Sequence, residues 1–277
     1  MNGSLLDEQD ATVSVFDHGV VTGDGVFETV LIHEGHTFAL RRHLDRLERS
    51  ASVVSLDLGG TLRTELERVA ATIVRESGLR HGKLRITVTS GPGPLGSTRG
   101  GGSPTVIVAA APVDPPGTST TSPAPARLAL APWPRNERGA LAGAKTISYA
   151  ENAVALAWAQ ARGATEALFG NVAGNLCEGT GSNVFVVHDG RLLTPPLSAG
   201  CLAGVTRALL LESGAAAEGD LPVAALGEVG EAFVCSTTRG VQPVESIDGR
   251  ELACCPGPLT RRAAASYERL LASDPEP

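Results

Sequence analysis

The chain has few features that would tie it to a membrane, a nucleic acid or an oxidising compartment. None of its apolar stretches approaches the roughly 20 residues that a membrane-spanning helix requires. Its five cysteines are odd in number and all lie in the C-terminal half, a pattern that does not predict a disulfide framework. The net charge of −7 argues against a nucleic-acid or anionic-membrane partner. We therefore expect a protein of the reduced cytoplasm.

Two domains are predicted from the length and from one change in composition. A chain of 277 residues is long enough for two modest domains with cores of their own. Residues 113–125 are rich in Pro, Ser and Thr, which is typical of a linker. We therefore expect one domain over 1–112, the linker over 113–125 and a second domain over 126–277.

Apolar periodicity predicts both helices and strands in the first domain. Apolar residues recur at helical spacing between Leu62 and Ile73, and Gly78 is placed to end that helix. Alternation of apolar and polar residues over 84–88 predicts a half-buried strand, and the apolar run 105–111 predicts another.

One lysine, Lys145, lies directly ahead of a predicted helix. Ser148 and Glu151 have the spacing of a capping box, and the run 153–162 reads as a helix that Gly163 ends. The lysine therefore lies on a short segment between ordered elements, where an amine could attack a carbonyl and form a Schiff base. Taken alone, a lysine in such a place is more often a solvated loop residue.

Glu178 is followed by small residues and then by an apolar strand. That strand ends at Asp-Gly, 189–190, which between two apolar runs is a strong hairpin signal. A carboxylate held close to a sheet in this way can keep the ring nitrogen of an aromatic cofactor protonated. The plainer interpretation is an exposed acid in a glycine-rich turn.

A second helix start follows at Gly204 and Thr206. The first N–H groups of a helix, together with its dipole, form a ready phosphate site, and a threonine hydroxyl adds a donor. Taken alone this is an ordinary helix start, and most such starts bind only water.

Together these segments resemble the class IV aminotransferases, the fold-type IV enzymes that use pyridoxal 5'-phosphate (PLP). Residues 17–29 are similar to the family's D-R-G-x-x-x-G-D-G-V-F-E-T block, with His18 in place of the usual arginine. Residues 42–51 are similar to its H-L-D-R-L block, and 194–197 and 235–244 match in order and spacing. The resemblance covers nearly the whole chain.

The resemblance implies a two-domain fold of the α+β or α/β class. A smaller α+β N-terminal domain would be joined to a larger β-rich C-terminal domain, with PLP in the cleft between them. It also implies a homodimer in which a loop of one subunit closes the pocket of the other.

Individual roles around the cofactor follow from the same resemblance. Lys145 would form the Schiff base and carry the proton, Glu178 would pair with the pyridine nitrogen, and Arg46 would hold the phosphate. Tyr149 would reach the cofactor's 3-oxygen. The phosphate would also be bound by residues near the second helix start and by one later threonine: Leu202, Gly204, Val205, Thr206 and Thr237.

The substrate side of the site is predicted from a smaller set of residues. Phe27 matches an aromatic side chain that walls the substrate pocket. Arg85 and Arg239 could hold a substrate carboxylate through paired hydrogen bonds, and Thr238 is expected beside them. Arg85 lies on the polar face of its predicted strand, which fits a position in a pocket.

Two literal motif matches are set aside. Residues 91–96 satisfy G-x-G-x-x-G, but they contain two prolines and are not followed by a helix, as a dinucleotide site requires. The His-Glu-Gly-His run at 33–36 lacks the spacing of a zinc-binding helix and predicts a turn. We therefore expect no metal site.

Three functions are compatible with these residues. The favoured one is a transaminase that moves an amino group between an amino acid, preferably a D-amino acid, and a 2-oxo acid. The second is 4-amino-4-deoxychorismate lyase, which releases pyruvate on the way to 4-aminobenzoate and folate. The third is a relative that has kept the fold and lost the chemistry, which the presence of the lysine, the glutamate and the phosphate segment argues against.

Overall fold

The computed structural model describes residues 1–113 and 124–277 of the chain. The predicted linker, 113–125, therefore falls almost entirely outside the described residues. The described residues cluster into two compact units. The first unit comprises 1–113, Ala144–Tyr149 and Glu276, and the second comprises 124–143, Ala150–Pro275 and Pro277.

The first unit combines helices with one antiparallel sheet. Its elements are α1 (His18–Val21), β1 (Gly25–His33), β2 (His36–Phe38), α2 (Leu40–Val53), α3 (Leu62–Ser77), β3 (Gly82–Thr89) and β4 (Thr105–Pro112). The strand order is β2-β1-β3-β4, and every neighbouring pair is antiparallel.

The core of the first unit lies between this sheet and helices α2 and α3. Alternate apolar residues of β1 and β3 pack there against leucines of the two helices: Val26, Val30, Ile32, Leu84, Ile86, Val88, Leu44, Leu47 and Leu66. Because side chains alternate across a strand, the residues between them, among them Phe27 and Arg85, project from the opposite face. This alternation places the candidate site residues of β1 and β3 away from the helices.

The local predictions for this unit are confirmed. The periodic run from Leu62 forms α3, and Gly78 follows it with a φ of 64°, the left-handed conformation that glycine adopts at a helix end. The predicted strands 84–88 and 105–111 lie within β3 and β4.

The segment Ala144–Tyr149 departs from the predicted division. The sequence placed it in the second domain, but it groups with the first unit. The reason is main-chain hydrogen bonding, since the Phe27 N–H donates to the Lys145 carbonyl and the Ile147 N–H donates to that of Gly25, each at 3.0 Å.

The second unit is built on a larger sheet. Its elements are β5 (Ala126–Leu130), α4 (Ala150–Gln160), β6 (Glu166–Gly170), β7 (Leu176–Gly179), β8 (Asn183–His188), β9 (Arg191–Thr194), α5 (Val205–Glu212), β10 (Ala217–Glu218), β11 (Ala232–Ser236), β12 (Gly240–Ile247), β13 (Arg250–Glu251) and α6 (Pro258–Ser273). Nine strands form the sheet, in the order β10-β9-β8-β11-β12-β5-β6-β7, with β13 beside β12.

The predicted fold class is confirmed, because a smaller α+β unit is followed by a larger β-rich one. The hairpin predicted at 189–190 joins β8 to β9, and both turn residues have positive φ, as a two-residue hairpin turn requires. No helix in the described ranges combines the length and the apolar character needed to cross a bilayer.

The start of α4 corrects one prediction. The helix begins at Ala150, and the expected capping box between Ser148 and Glu151 is not what holds this end. The Ser148 hydroxyl donates instead to the Gly23 carbonyl at 3.0 Å, and Glu151 pairs with Arg135. Partners distant in sequence therefore take both side chains of the expected box. Gly163, with a φ of 77°, follows the helix as predicted.

Candidate active site

Three hydrogen bonds hold the main chain of Lys145 and of the residues that follow it. Its carbonyl accepts from the Phe27 N–H, and the next bond along the chain joins Ile147 to Gly25. Its own N–H donates to the Ser50 hydroxyl of α2 at 3.0 Å. The segment that contains the lysine therefore pairs with the edge of β1, and the lysine side chain extends from a fixed backbone position.

Three other predicted site residues of the first unit lie around the ring of Phe27. The Lys145 Nζ lies 4.3 Å from the ring centroid, and the Arg85 guanidinium carbon lies 3.9 Å from it. The Tyr149 ring meets the same ring edge-on, with centroids 5.6 Å apart. Cations over an aromatic face are attracted by its quadrupole. Four residues predicted separately from the sequence therefore form one cluster.

The environment of Arg85 is partly desolvated. Burial lowers the pKa of its guanidinium below the ordinary value, and Tyr149 acts in the opposite direction. Its Nε donates to the Thr87 hydroxyl at 3.2 Å on the same strand face. A partly desolvated guanidinium is suited to bind a carboxylate.

The composition adds a signal that motif reasoning missed. The chain contains only two lysines, Lys83 and Lys145. Lys83 is exposed on β3, whereas Lys145 is half-buried. Lys145 is therefore the one candidate in this chain for a reaction that needs a lysine amine beside an aromatic side chain.

Arg46, the predicted phosphate ligand, is buried in an ion pair. Its Nε and Nη2 each donate to Glu28 at 2.7 Å, and His43 Nδ1 lies 2.8 Å from the same carboxylate. All three side chains are at most 5 % exposed. Sequence reasoning missed Glu28 and His43, because nothing local marks a carboxylate on a buried strand face.

The charges of this cluster are mutually compensated. Burial alone would raise the pKa of Glu28, but the Arg46 charge and the hydrogen bonds from Arg46 and His43 outweigh it and lower that pKa well below its usual range. Burial lowers the pKa of His43, with Glu28 opposing and Lys145 adding to the effect. The cluster thus holds an ionised carboxylate and a fixed guanidinium under α2.

Glu178, on β7, has two partners in the second unit. The Leu202 N–H donates to its Oε2 at 2.9 Å, and Arg135 Nη2 lies 3.5 Å from its Oε1. Arg135 also stacks on Phe169, with its guanidinium carbon 4.2 Å from the ring centroid. Both partners favour an ionised carboxylate. Arg135 was not anticipated from the sequence, where it is one arginine in a loop.

The start of α5 fits a phosphate group. Gly204 caps it in an extended conformation, and a Cβ there would lie 2.0 Å from the Asn183 side-chain oxygen, so only glycine allows this approach. The first N–H groups of a helix lack intrahelical acceptors and bind anions. Thr206 is buried and hydrogen-bonds with Tyr267. Amide and hydroxyl donors of this kind suit the phosphate of PLP.

The turn between β11 and β12 holds the remaining predicted residues. Thr237 and Thr238 are half-buried in it. Arg239 Nη1 donates at 2.6 Å to Glu166, a buried carboxylate that also accepts from the Gly181 N–H at 2.8 Å. Arg239 therefore braces the loop after Glu178, a contact that the sequence analysis did not foresee. Its role toward a substrate stays a prediction.

Comparison with known proteins identifies the family of this chain. Residues 25–247 match the model of the family described as amino-transferase class IV. The match extends over well more than half of the chain, so the protein belongs to that family, and the resemblance inferred from the motifs is confirmed.

Two relatives align over almost the full chain. A Methanocaldococcus jannaschii protein provisionally named branched-chain-amino-acid aminotransferase is 35% identical over 90% of this chain and 88% of its own. The D-alanine aminotransferase of Bacillus licheniformis is 30% identical over 99% of this chain and 96% of its own. Relatives with both kinds of substrate in their names are thus similar to this chain.

Solved structures share the fold. The branched-chain aminotransferase of Thermoproteus uzoniensis, solved with norvaline, has a TM-score of 0.88, 30% identity and coverage of 97% of this chain and 92% of its own. A hypothetical aminotransferase from Mycobacterium tuberculosis in its PLP-bound form has a TM-score of 0.82, 27% identity and coverage of 99% and 98%. The cofactor of the family is PLP, and the prediction of that cofactor is confirmed.

Proposed function

We propose that this protein is a PLP-dependent transaminase that moves an amino group between an amino acid, with D-amino acids favoured, and a 2-oxo acid. The observation that carries the proposal is the cluster on Phe27, where Lys145, Arg85 and Tyr149 converge. An amine, a carboxylate-binding cation and an aromatic wall are what amino-group transfer needs. The similarity to D-alanine aminotransferases over 99% of the chain supports the preference for D-amino acids.

Lys145 is the residue to which we assign proton transfer. When bound, PLP supplies an aldehyde that condenses with amines and a ring that takes up an electron pair. The Lys145 amine would be covalently attached to the cofactor at rest. Once the substrate amine has displaced it, it would take the proton from the substrate's α-carbon and deliver a proton to the cofactor carbon that was the aldehyde. Its main-chain bonds to Phe27 and Ser50 would keep the amine aligned through both proton transfers.

The binding residues are assigned by the charges that they can meet. Glu178 would hold the positive ring nitrogen, because its partners Leu202 and Arg135 keep it ionised. Tyr149 would donate to the cofactor's 3-oxygen. The phosphate would be bound by Arg46, by the first N–H groups of α5 at Val205 and Thr206, and by Thr237. The N–H groups of Leu202 and Gly204 already donate to Glu178 and to the Leu202 carbonyl, so these two residues would line the phosphate site without donating to it.

The substrate carboxylate is assigned to arginine. Arg85 projects beside Phe27 and is the stronger candidate, since its guanidinium is partly desolvated there. Arg239 and Thr238 are proposed as further contacts, although Glu166 already neutralises Arg239. Phe27 would exclude water from the reacting carbon.

The decisive experiment compares amino donors on the purified PLP enzyme. D- and L-amino acids, including alanine and the branched-chain set, are supplied with 2-oxoglutarate, and the oxo-acid product is measured. Faster transfer from D-alanine than from any L-amino acid supports the proposal. Faster transfer from L-valine or L-leucine would replace the D-amino-acid assignment with a branched-chain one.

The lyase alternative is tested in the same preparation. The support for it is that the segment 145–149 and the loop 91–96 resemble those of lyase members of the family. Pyruvate formed from aminodeoxychorismate, with no transfer from any amino acid, would make the lyase the correct function. A colourless protein that takes up no PLP would indicate a relative without catalysis.

A homodimer in the cytoplasm completes the proposal. All five cysteines are free thiols in the structure, as a reducing compartment would leave them. Light scattering coupled to gel filtration measures the mass in solution. A mass near twice 28.4 kDa supports the dimer, and a mass near 28.4 kDa contradicts it.

A further inference from the structure

The far end of the first unit's sheet carries two histidines opposite each other. β1 and β3 pair antiparallel with Ile32 opposite Gly82, so His33 and His81 are the next pair outward. Their ring centroids are 5.4 Å apart, and the rings are inclined at 65°. The 33–36 run forms the predicted turn between β1 and β2, whereas the contact with His81 has no counterpart in local sequence spacing.

Both rings present a nitrogen without a protein partner. His33 Nδ1 and His81 Nδ1 are buried, and neither has a hydrogen-bond partner in the described part of the chain. A buried imidazole nitrogen left unpaired is costly, and native proteins normally satisfy it with a protein group, water or an ion. The two atoms lie on rings whose centroids are 5.4 Å apart, so one ligand could satisfy both.

The second nitrogen of His81 faces a carboxylate. His81 Nε2 lies 3.0 Å from Glu34 Oε1, and Arg80 pairs with the other oxygen of Glu34. A proton on Nε2 donated to Glu34 leaves Nδ1 as the nitrogen with the lone pair. Metal-binding histidines commonly donate their other N–H to a carboxylate in this way.

We propose that His33 and His81 form a two-histidine site for a divalent transition-metal ion, bound through the two Nδ1 atoms with Glu34 orienting His81. Imidazole nitrogens favour ions such as Zn²⁺, Ni²⁺ and Cu²⁺. Two imidazoles on one tetrahedral Zn²⁺, with Zn–N bonds of about 2.0–2.1 Å, have ring centres roughly 5 Å apart, close to the separation observed. Water fills the remaining coordination positions.

The proposed site has two protein ligands. No group of three or more His, Cys, Asp and Glu side chains in the described ranges is placed to share an ion, so water would complete the coordination. We expected no metal site from the sequence, because the strand register that brings these two histidines together is not visible in the spacing of the residues.

This site is separate from the Lys145 cluster. His33 lies at the opposite end of β1 from Phe27, roughly 20 Å along the strand at about 3.3 Å per residue. Zn²⁺ binding can therefore be measured on the PLP enzyme without touching the residues assigned to transamination.

The test is calorimetric titration of the tag-free PLP enzyme with Zn²⁺. We expect one site per chain that is at least about tenfold weaker in His33→Asn and in His81→Asn, and roughly tenfold weaker in Glu34→Gln, as for an orienting partner. His188→Asn, a histidine of the second unit, is the matched control and should bind as the unaltered protein does. Zn²⁺ should also raise the melting temperature of the unaltered protein and not that of the two ligand variants.

The melting temperatures of the metal-free variants separate lost ligation from lost folding. Variants that unfold near the temperature of the unaltered protein and no longer bind Zn²⁺ support the site. An unaltered protein that binds no Zn²⁺, or ligand variants that bind it as tightly as His188→Asn, would overturn the proposal.

Discussion

Arg46 donates from Nε and Nη2 to the two carboxylate oxygens of Glu28, and the pair is sealed beneath α2. Removing one member leaves a buried charge without compensation. We therefore expect Glu28→Ala to lower the free energy of unfolding by about 3–5 kcal/mol in urea titrations. Glu76→Ala breaks the exposed pair with Arg75 and should cost about 1 kcal/mol or less. Equal losses in the two variants would show that the buried pair contributes no more than a surface one.

His43 in the same cluster should make stability depend on pH. Its pKa in the native state is lowered from 6.5, so below pH 6.5 the unfolded chain takes up a proton that the native chain does not. The free energy of unfolding should therefore decrease as the pH is lowered below 6.5, by up to about 1.4 kcal/mol per pH unit for one such group. Glu28 adds a loss of the same sign below its ordinary value of 4.5, because its native pKa is also lowered.

Urea titrations at pH 7.5 and 5.5 measure the contribution of His43. His43→Asn should lose less stability than the unaltered protein between these two values. The surface variant His36→Asn serves as control and should lose as much as the unaltered protein. If His43→Asn loses as much stability between the two pH values as the unaltered protein does, this histidine titrates alike in the native and unfolded states.

The scarcity of lysine allows a direct test of cofactor attachment. Borohydride reduction of the PLP-loaded protein, followed by peptide mapping, should place the cofactor on Lys145. Lys145→Ala should show no attachment and at least about 100-fold slower turnover, the range expected for a lost proton-transfer group. Lys83→Ala removes the other lysine and should retain both. Cofactor mapped to Lys83 would refute the assignment of Lys145.

Arg85 should control the affinity for substrate. A charge-assisted hydrogen bond is worth about 1.5–3 kcal/mol, so Arg85→Met should raise KM for the amino donor at least about tenfold. The exposed Arg75→Met is the matched control and should leave KM unchanged. If KM stays constant in Arg85→Met while kcat falls, the guanidinium acts on the reacting atoms and not on the carboxylate.

Thiol reactivity should divide the cysteines into two classes. Burial raises the pKa of Cys201 and of Cys235 to about 12 and that of Cys177 further still, so these thiols should be unreactive in the native state. Cys254 is exposed and should react fastest with Ellman's reagent, followed by Cys255, whose pKa burial also raises. All five should react in guanidinium chloride. Rapid reaction of more than two thiols in the native protein would contradict the burial of the other three.

Features set by neighbouring residues could be predicted from the sequence. The period of 3.6 in α3, the glycine at its end and the Asp-Gly turn at 189–190 each need only a few adjacent residues to determine the backbone. The family motifs likewise singled out Lys145 and Glu178 as candidate site residues, because the motif residues lie close together in the sequence.

Features set by distant residues could not be predicted in this way. Ser148 has the spacing of a helix cap for α4, yet its hydroxyl donates to the Gly23 carbonyl, an acceptor distant in sequence. Glu28 lies on a buried strand face, where an alternating pattern predicts an apolar side chain, and only the fold brings Arg46 and His43 to it. Arg239 and Glu166 are separated by 73 positions. Strand register and tertiary packing determine these contacts, and neither can be predicted from the spacing of neighbouring residues.

The hydrogen bonds that join position 145 to Phe27 and Ser50 use only the backbone N–H and carbonyl of the lysine. The side chain can therefore be exchanged while its attachment point keeps its place. A cysteine introduced there and alkylated with bromoethylamine would carry an amine of almost the same reach but weaker basicity. Because the backbone at position 145 stays in place, the basicity of the amine that it carries can be varied by chemical modification.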